Sequence, residues 1–201
     1  MMKLELPETI RAARPEEAPA QEDIQNRIAA AQYARIQEGY TVKLADDASL
    51  PFSFFSEINV NNSRLFPLFM RLLEPLPEIV SFIFSHIDEE AHYSEYRNKA
   101  EVIALLSRFE LELTKDGFFE FGIIYQDQEQ LQEVFVKRAK YLQCWASDMD
   151  AFLDVMNEFG LHHVPDLNFM DEYPMVTEML RLHHTGITET HELVAFFKKN
   201  L

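Results

Sequence analysis

The spacing of apolar and polar residues divides the chain into segments of two periods. A period near 3.6 predicts helices, and alternation predicts half-buried strands. From about Glu17 to Glu38, Ile24, Ile28 and Ala31 recur at helical spacing, and Gly39 reads as the stop. Tyr40 to Leu44 reads as a short strand with a turn at Asp46-Asp47. Residues 51–60 fit neither period cleanly. After a turn at Asn61-Asn62-Ser63, a short helix is expected from Arg64 or Pro67 to Glu74. Leu65, Phe69 and Leu72 share one face of it, and Pro75 and Pro77 end it. Glu78 to Ile87 is rich in Ile, Val and Phe and reads as a buried strand.

The strongest helical stripe runs from about Glu89 to Lys115, through Tyr96, Ala100, Ile103, Leu106, Phe109 and Leu113. Asp116-Gly117 stops it. A hairpin follows: Phe118 to Tyr125, a turn at Gln126 to Gln130, then Leu131 to Lys137. Lys140 to Trp145 extends that arm or adds a strand. Ser147 and Asp148 are good N-caps for a helix that carries Phe152, Met156 and Phe159 on one face and closes at Gly160. Leu167 to Met170 reads as a short strand. Pro174 to Leu182 and Glu189 to Lys199 read as closing helices, with Thr188 capping the last. Helices and strands intermix without regular βαβ alternation. The expected class is therefore α+β: a single compact domain over residues 17–201, with helices packed on a largely antiparallel sheet. Residues 1 to about 16 read as a flexible N-terminal arm.

Length and composition fit this picture. A chain of 201 residues favours one domain and buries about 70% of its unfolded surface without a metal or disulfide. Hydrophobic residues make up 47%, including 17 Phe, far too apolar for disorder. Cys144 is the single cysteine, so no intramolecular disulfide forms, which suits a reducing compartment. The first residues turn acidic too early for a signal peptide, and charges and prolines break the apolar run from Leu65 to Ile87. A cytoplasmic location is expected.

Charge changes the functional picture most. The formal net charge is −16, which disfavours nucleic acid and anionic membrane as partners and favours a basic protein. From Tyr141 to Leu180 no Lys or Arg occurs, against eight acids: Asp148, Asp150, Asp154, Glu158, Asp166, Asp171, Glu172 and Glu178. The first seven are the candidate partner-binding residues. Grouped like charges repel, and a basic partner relieves them; a plain solvated helix face has the same signature.

Catalytic and metal motifs are missing from the sequence. His162, His163, His183, His184 and His191 crowd the last forty residues, but no pair has the i, i+4 spacing of His-Glu-x-x-His. Adjacent histidines also point apart. Asp171-Glu172 before Tyr173-Pro174 reads as a helix start more readily than as an acid–base pair. Cys144 lacks a base nearby in sequence and reads as a buried structural thiol. No phosphate-cradling glycine loop or nucleophile elbow occurs. No cofactor, metal or catalytic residue is therefore expected.

The leading expectation is a non-enzymatic acidic protein-binding module. In size, acidity and compartment it is similar to the small inhibitors that bacteria keep against basic toxins or nucleases, though no motif carries that likeness. One alternative is a small-molecule binder or enzyme with an aromatic-lined pocket whose polar groups include His162, His163, Asp171 and Glu172. The other is a structural subunit of an assembly.

Overall fold

The computed structural model describes residues 4–201. In chain order the elements are β1 (Ile10–Ala12), α1 (Glu22–Ala31), β2 (Gly39–Leu44), β3 (Phe54–Asn59), α2 (Asn62–Leu72) and β4 (Ile79–His86). Next come β5 (His92–Tyr93), β6 (Arg97–Asn98), α3 (Lys99–Leu106), α4 (Glu110–Lys115), β7 (Phe119–Gln126) and β8 (Leu131–Val136). The last are β9 (Leu142–Ala146), α5 (Met149–Glu158), β10 (Met175–Thr177) and α6 (Thr190–Asn200).

The main sheet runs in the order β2-β3-β9-β8-β7-β4-β5, with β6 also on β4, and every ladder is antiparallel. Alternation assigns its faces. Phe54 and Ile58, Val134 and Val136, Phe119, Phe121 and Ile123, and Val80, Phe82 and Phe84 form one buried face. Leu65 and Phe69 of α2, Phe152 and Val155 of α5, and Leu193 and Phe197 of α6 close over it. Phe197 anchors this layer, with its ring edge-on to Phe82 at 4.9 Å between centroids. The domain is thus α+β, with helices on a largely antiparallel sheet, as the intermixed periods imply.

Of the stretch read as a flexible arm, Met1–Lys3 lie outside the described residues. In the rest, β1 pairs with β10, Leu4 and Ile10 are buried, and Glu8 bonds Lys115 at 3.0 Å. A Cβ on Gly117 would lie 2.9 Å from Ile10 Cγ1 and 2.7 Å from Thr177 Cγ2, so this glycine admits the β1–β10 pair.

Several expected elements differ. The long helix from Glu89 is replaced by β5, β6, α3 and α4. Its apolar stripe is continuous only from Ala100, and Asn98 starts α3 by accepting from Ala100 N at 2.9 Å. Before that point, the free edge of β4 recruits His92, Tyr93, Arg97 and Asn98 as strand partners. Glu17–Glu38 shrinks to α1, and Gly39 opens β2 instead of closing a helix because it pairs with Asn59 of β3; its φ of 152° and the adjoining Val164 leave no room for a side chain there. Leu167–Met170 forms no strand, and Pro174–Leu182 contains β10 plus a 3-10 turn at Leu180–Leu182. Pairing with β1 overrides the helical spacing there. The α6 N-cap is Glu189, and Thr188 N instead donates to Oε1 of the buried Glu112 at 2.9 Å.

Candidate partner-binding site

The strand β9 leaves the sheet at Ala146 and continues through Ser147 into α5. Asp148 caps that helix by accepting from Ala151 N at 2.9 Å. The burial of Phe152, Val155 and Met156 fixes the helix's rotation. Asp150, Asp154 and Glu158, four residues apart, are therefore left exposed on one side. Glu158 accepts from Arg71 Nε at 2.8 Å, and Arg71 also reaches Glu74 at 2.7 Å. Asp148, Asp150 and Asp154 have no ion pair among the described residues.

The remaining candidate acids lie elsewhere. After α5 the chain passes the edge of β2, where Tyr40 N donates to His162 O at 3.0 Å and Val164 N to Tyr40 O at 2.8 Å. It then enters a second apolar cluster of Ile10, Tyr141, Leu167, Phe169 and Met170. Asp166 is exposed, and Glu172 turns back to accept from Phe169 N at 3.1 Å. Burial raises the Asp171 carboxyl, and burial beside Asp171 and Glu57 raises the Tyr141 phenol. The seven acids thus form two groups, Asp148–Glu158 on α5 and Asp166–Glu172 beyond the sheet edge.

The histidines are dispersed. His162 and His163 are exposed at the β2 edge, whereas His183 pairs with Glu178 at 2.9 Å and His184 with Glu8. Burial resists ionisation of Glu8, but its bonds to His184, its own backbone and Lys115 hold the carboxyl down at about 2. No group of three His, Cys, Asp or Glu residues suited to a metal ion occurs among the described residues.

A feature missed by sequence reasoning lies where β9 peels away. Pro51 O accepts from Leu131 N at 2.5 Å, so the chain leading into β3 reaches the start of β8 beyond the departing strand. A cavity of about 130 Å³ opens at this junction. Leu72, Leu76, Val134 and Phe152 form its apolar wall, and Glu133, Trp145 and Asp148 also line it. Glu133 is the cross-strand partner of Trp145, whose indole packs on Phe55 at 4.6 Å. Glu133 makes no side-chain hydrogen bond or ion pair among the described residues, and burial pushes its carboxyl up to about 7. Burial also pushes the Cys144 thiol up to about 12, so that thiol is a wall group and not a nucleophile. The signal for Glu133 was present in the hairpin arm: alternation sets this acid between Leu131 and Phe135 on one strand face.

Glu57, Gln143 and Phe135 follow on the same sheet face, with Gln143 Nε2 donating to Glu57 Oε1 at 3.1 Å. Phe135 lies against Gly122, where a Cβ would come within 2.6 Å of its ring. Glu133 and Trp145 thus project from the sheet face opposite Val134 and the helices, and reach the cavity lining only where β8 and β9 pass its edge. The cavity is well below the 300 Å³ or so typical of metabolite pockets.

No helix among the described residues is long and apolar enough to cross a membrane. Compared with known proteins, the chain matches no protein-family model, no curated protein and no solved structure.

Proposed function

We propose that this chain is a non-enzymatic binding module that docks a basic protein on the N-terminal half of α5. The observation that carries the reading is the set of unpaired carboxylates Asp148, Asp150 and Asp154 beside a small apolar cavity. Free like charges repel one another, and a basic partner relieves that repulsion while being steered to the surface. Occlusion of a basic toxin or nuclease is one outcome of such docking. The overall charge of −16 works against nucleic acid as the partner, and the lone buried thiol of Cys144 fits a cytoplasmic setting.

Asp166, Asp171 and Glu172 take a lesser part in this reading, since Glu172 caps its own turn and Asp171 is half-buried with its carboxyl raised. The test is affinity capture from the native host's lysate, using wild type and the double variant Asp150→Lys/Asp154→Lys. Wild type is expected to retain a basic polypeptide at low salt and lose it at high salt, and the variant to retain none. Equal retention by both proteins would remove α5 from the interface.

A small-molecule reading rests on a different cavity. One of about 590 Å³ lies between α1 and the N-terminal segment, lined by Leu6, Ile10, Ile28 and Ile36. It contains none of His162, His163, Asp171 or Glu172; an occupant there would meet a mostly apolar wall with Arg11 and Gln32 as polar side chains.

A further inference from the structure

β2 ends the main sheet, and its backbone polar groups divide by parity. Thr41 faces Glu57 and Lys43 faces Phe55, and Ala45 N continues the row by donating to Ser53 O at 2.9 Å, so the odd residues turn toward β3. Tyr40, Val42 and Leu44 therefore turn their N–H and C=O groups outward. Those of Tyr40 are taken by the chain's own extended segment His162–Val164, which lies parallel to β2. That segment turns at Pro165-Asp166 and leaves for the second apolar cluster. Val42 and Leu44 make no backbone hydrogen bond on the outer side among the described residues. On the helix side α5 flanks the same edge. Phe152 meets Tyr40 edge-on at 5.5 Å, and Glu158 reaches Arg71 of α2 from the opposite flank of α5. Met149 and Leu153, four residues apart, are thus left half-buried on the flank toward β2, beside Val42 and the 66% exposed Leu44.

We propose that the Val42–Leu44 edge takes up an extended segment of the basic partner as an added strand. A row of outward N–H and C=O groups at strand spacing is matched by another extended main chain, and His162–Val164 shows that this edge accepts one. Backbone bonds to Val42 and Leu44 hold the segment. Its alternate side chains are apolar and extend the core layer over Leu44, Met149 and Leu153. The net charge of −16 favours basic residues elsewhere in the segment, and Asp150, next to Met149, makes the edge continuous with the acidic side of α5. A second copy of this chain fits less well. An antiparallel β2–β2 pairing that sets Val42 opposite Leu44 also sets Lys43 opposite Lys43, and both copies carry −16. This inference rests on the proposed docking of a basic protein at α5 and names the form of the segment that docks.

The probe is the acetylated peptide Lys-Val-Thr-Val-Thr-Val-Lys, titrated into the full chain and followed by amide NMR with hydrogen exchange. Wild type should bind it saturably. The amides of Val42 and Leu44 should gain protection, while those of Thr41 and Lys43, already bonded to β3, change little. N-methylation of the peptide's internal amides leaves its charge unchanged and should abolish binding. Leu44→Pro deletes one outward N–H and keeps the bond from Ala45 to Ser53; it should weaken binding about five-fold beyond Leu44→Ala. If the N-methylated peptide binds as tightly as the plain one, or if the plain peptide fails to protect Val42 and Leu44, the added strand falls. Asp150→Lys/Asp154→Lys separates the two readings. Weaker binding by that variant, with Leu44→Pro and N-methylation without effect, leaves docking on α5 standing and removes the strand. Full binding by it, with both strand controls as expected, keeps the strand and removes α5 from the interface. A dimer that forms at rising concentration and is dissolved by Leu44→Pro would give the edge to a second copy and overturn the assignment to a partner.

Discussion

Replacing Glu133 with glutamine removes a charge that the fold holds at a cost. Burial raises this carboxyl from its ordinary 4.5 to about 7. Between those values the folded chain keeps a proton that the unfolded chain has released, so stability falls as pH rises through that window. The rise corresponds to about 3 kcal/mol of lost stability at pH 8 relative to pH 4. Glutamine has nearly the same shape and does not titrate. Guanidinium unfolding of both proteins at a series of pH values isolates the effect, because other titrating groups are shared. The wild type should lose about 3 kcal/mol relative to Glu133→Gln between pH 4 and pH 8, or about 6–12 °C in Tm. A difference that stays flat with pH would refute the reasoning, since it would mean that the carboxyl is solvated.

Lys140 should behave oppositely. Burial pulls its ammonium down to about 8 from 10.5, so wild type should gain about 3 kcal/mol relative to Lys140→Met as pH rises across that interval in urea unfolding. Gly122→Ala should lose about 1–3 kcal/mol by thermal unfolding, because the new methyl meets both the Phe135 ring and the rigid Val134 carbonyl at 2.7 Å. Phe197→Ala should lose about 3–5 kcal/mol in the same assay, since its fully buried ring fills the space between sheet and helices. Arg71→Ala should tighten the binding of a basic peptide such as hexa-arginine to the α5 face in a titration, because it removes the cation that offsets Glu158; weaker binding would contradict the charge argument.

The parts legible in the sequence were those fixed by neighbours along the chain. Alternation through Phe119, Phe121 and Ile123 gave β7, and Asp148 announced the start of α5. The spacing of Asp150, Asp154 and Glu158 gave their common side once the buried side was known. Elements chosen by distant partners were not legible. Tyr93 and Asn98 sit in strands only because the β4 edge accepts them, and Val176 because β1 lies beside it. The cavity at the β9–α5 junction was hidden for the same reason: it exists where β9 diverges from β8, and α2 and α5 close over it only in the fold. Sequence proximity also misled in one respect. Asp166, Asp171 and Glu172 belong to the same uncharged-by-cation stretch as α5, yet the chain crosses the β2 edge before reaching them.

The most direct test of the central claim is backbone amide hydrogen exchange on the chain, free and bound to the basic protein it captures. The account predicts new protection concentrated in Met149–Glu158, with no change in α6. Protection confined to α6 and β5, with α5 exchanging as in the free protein, would contradict it.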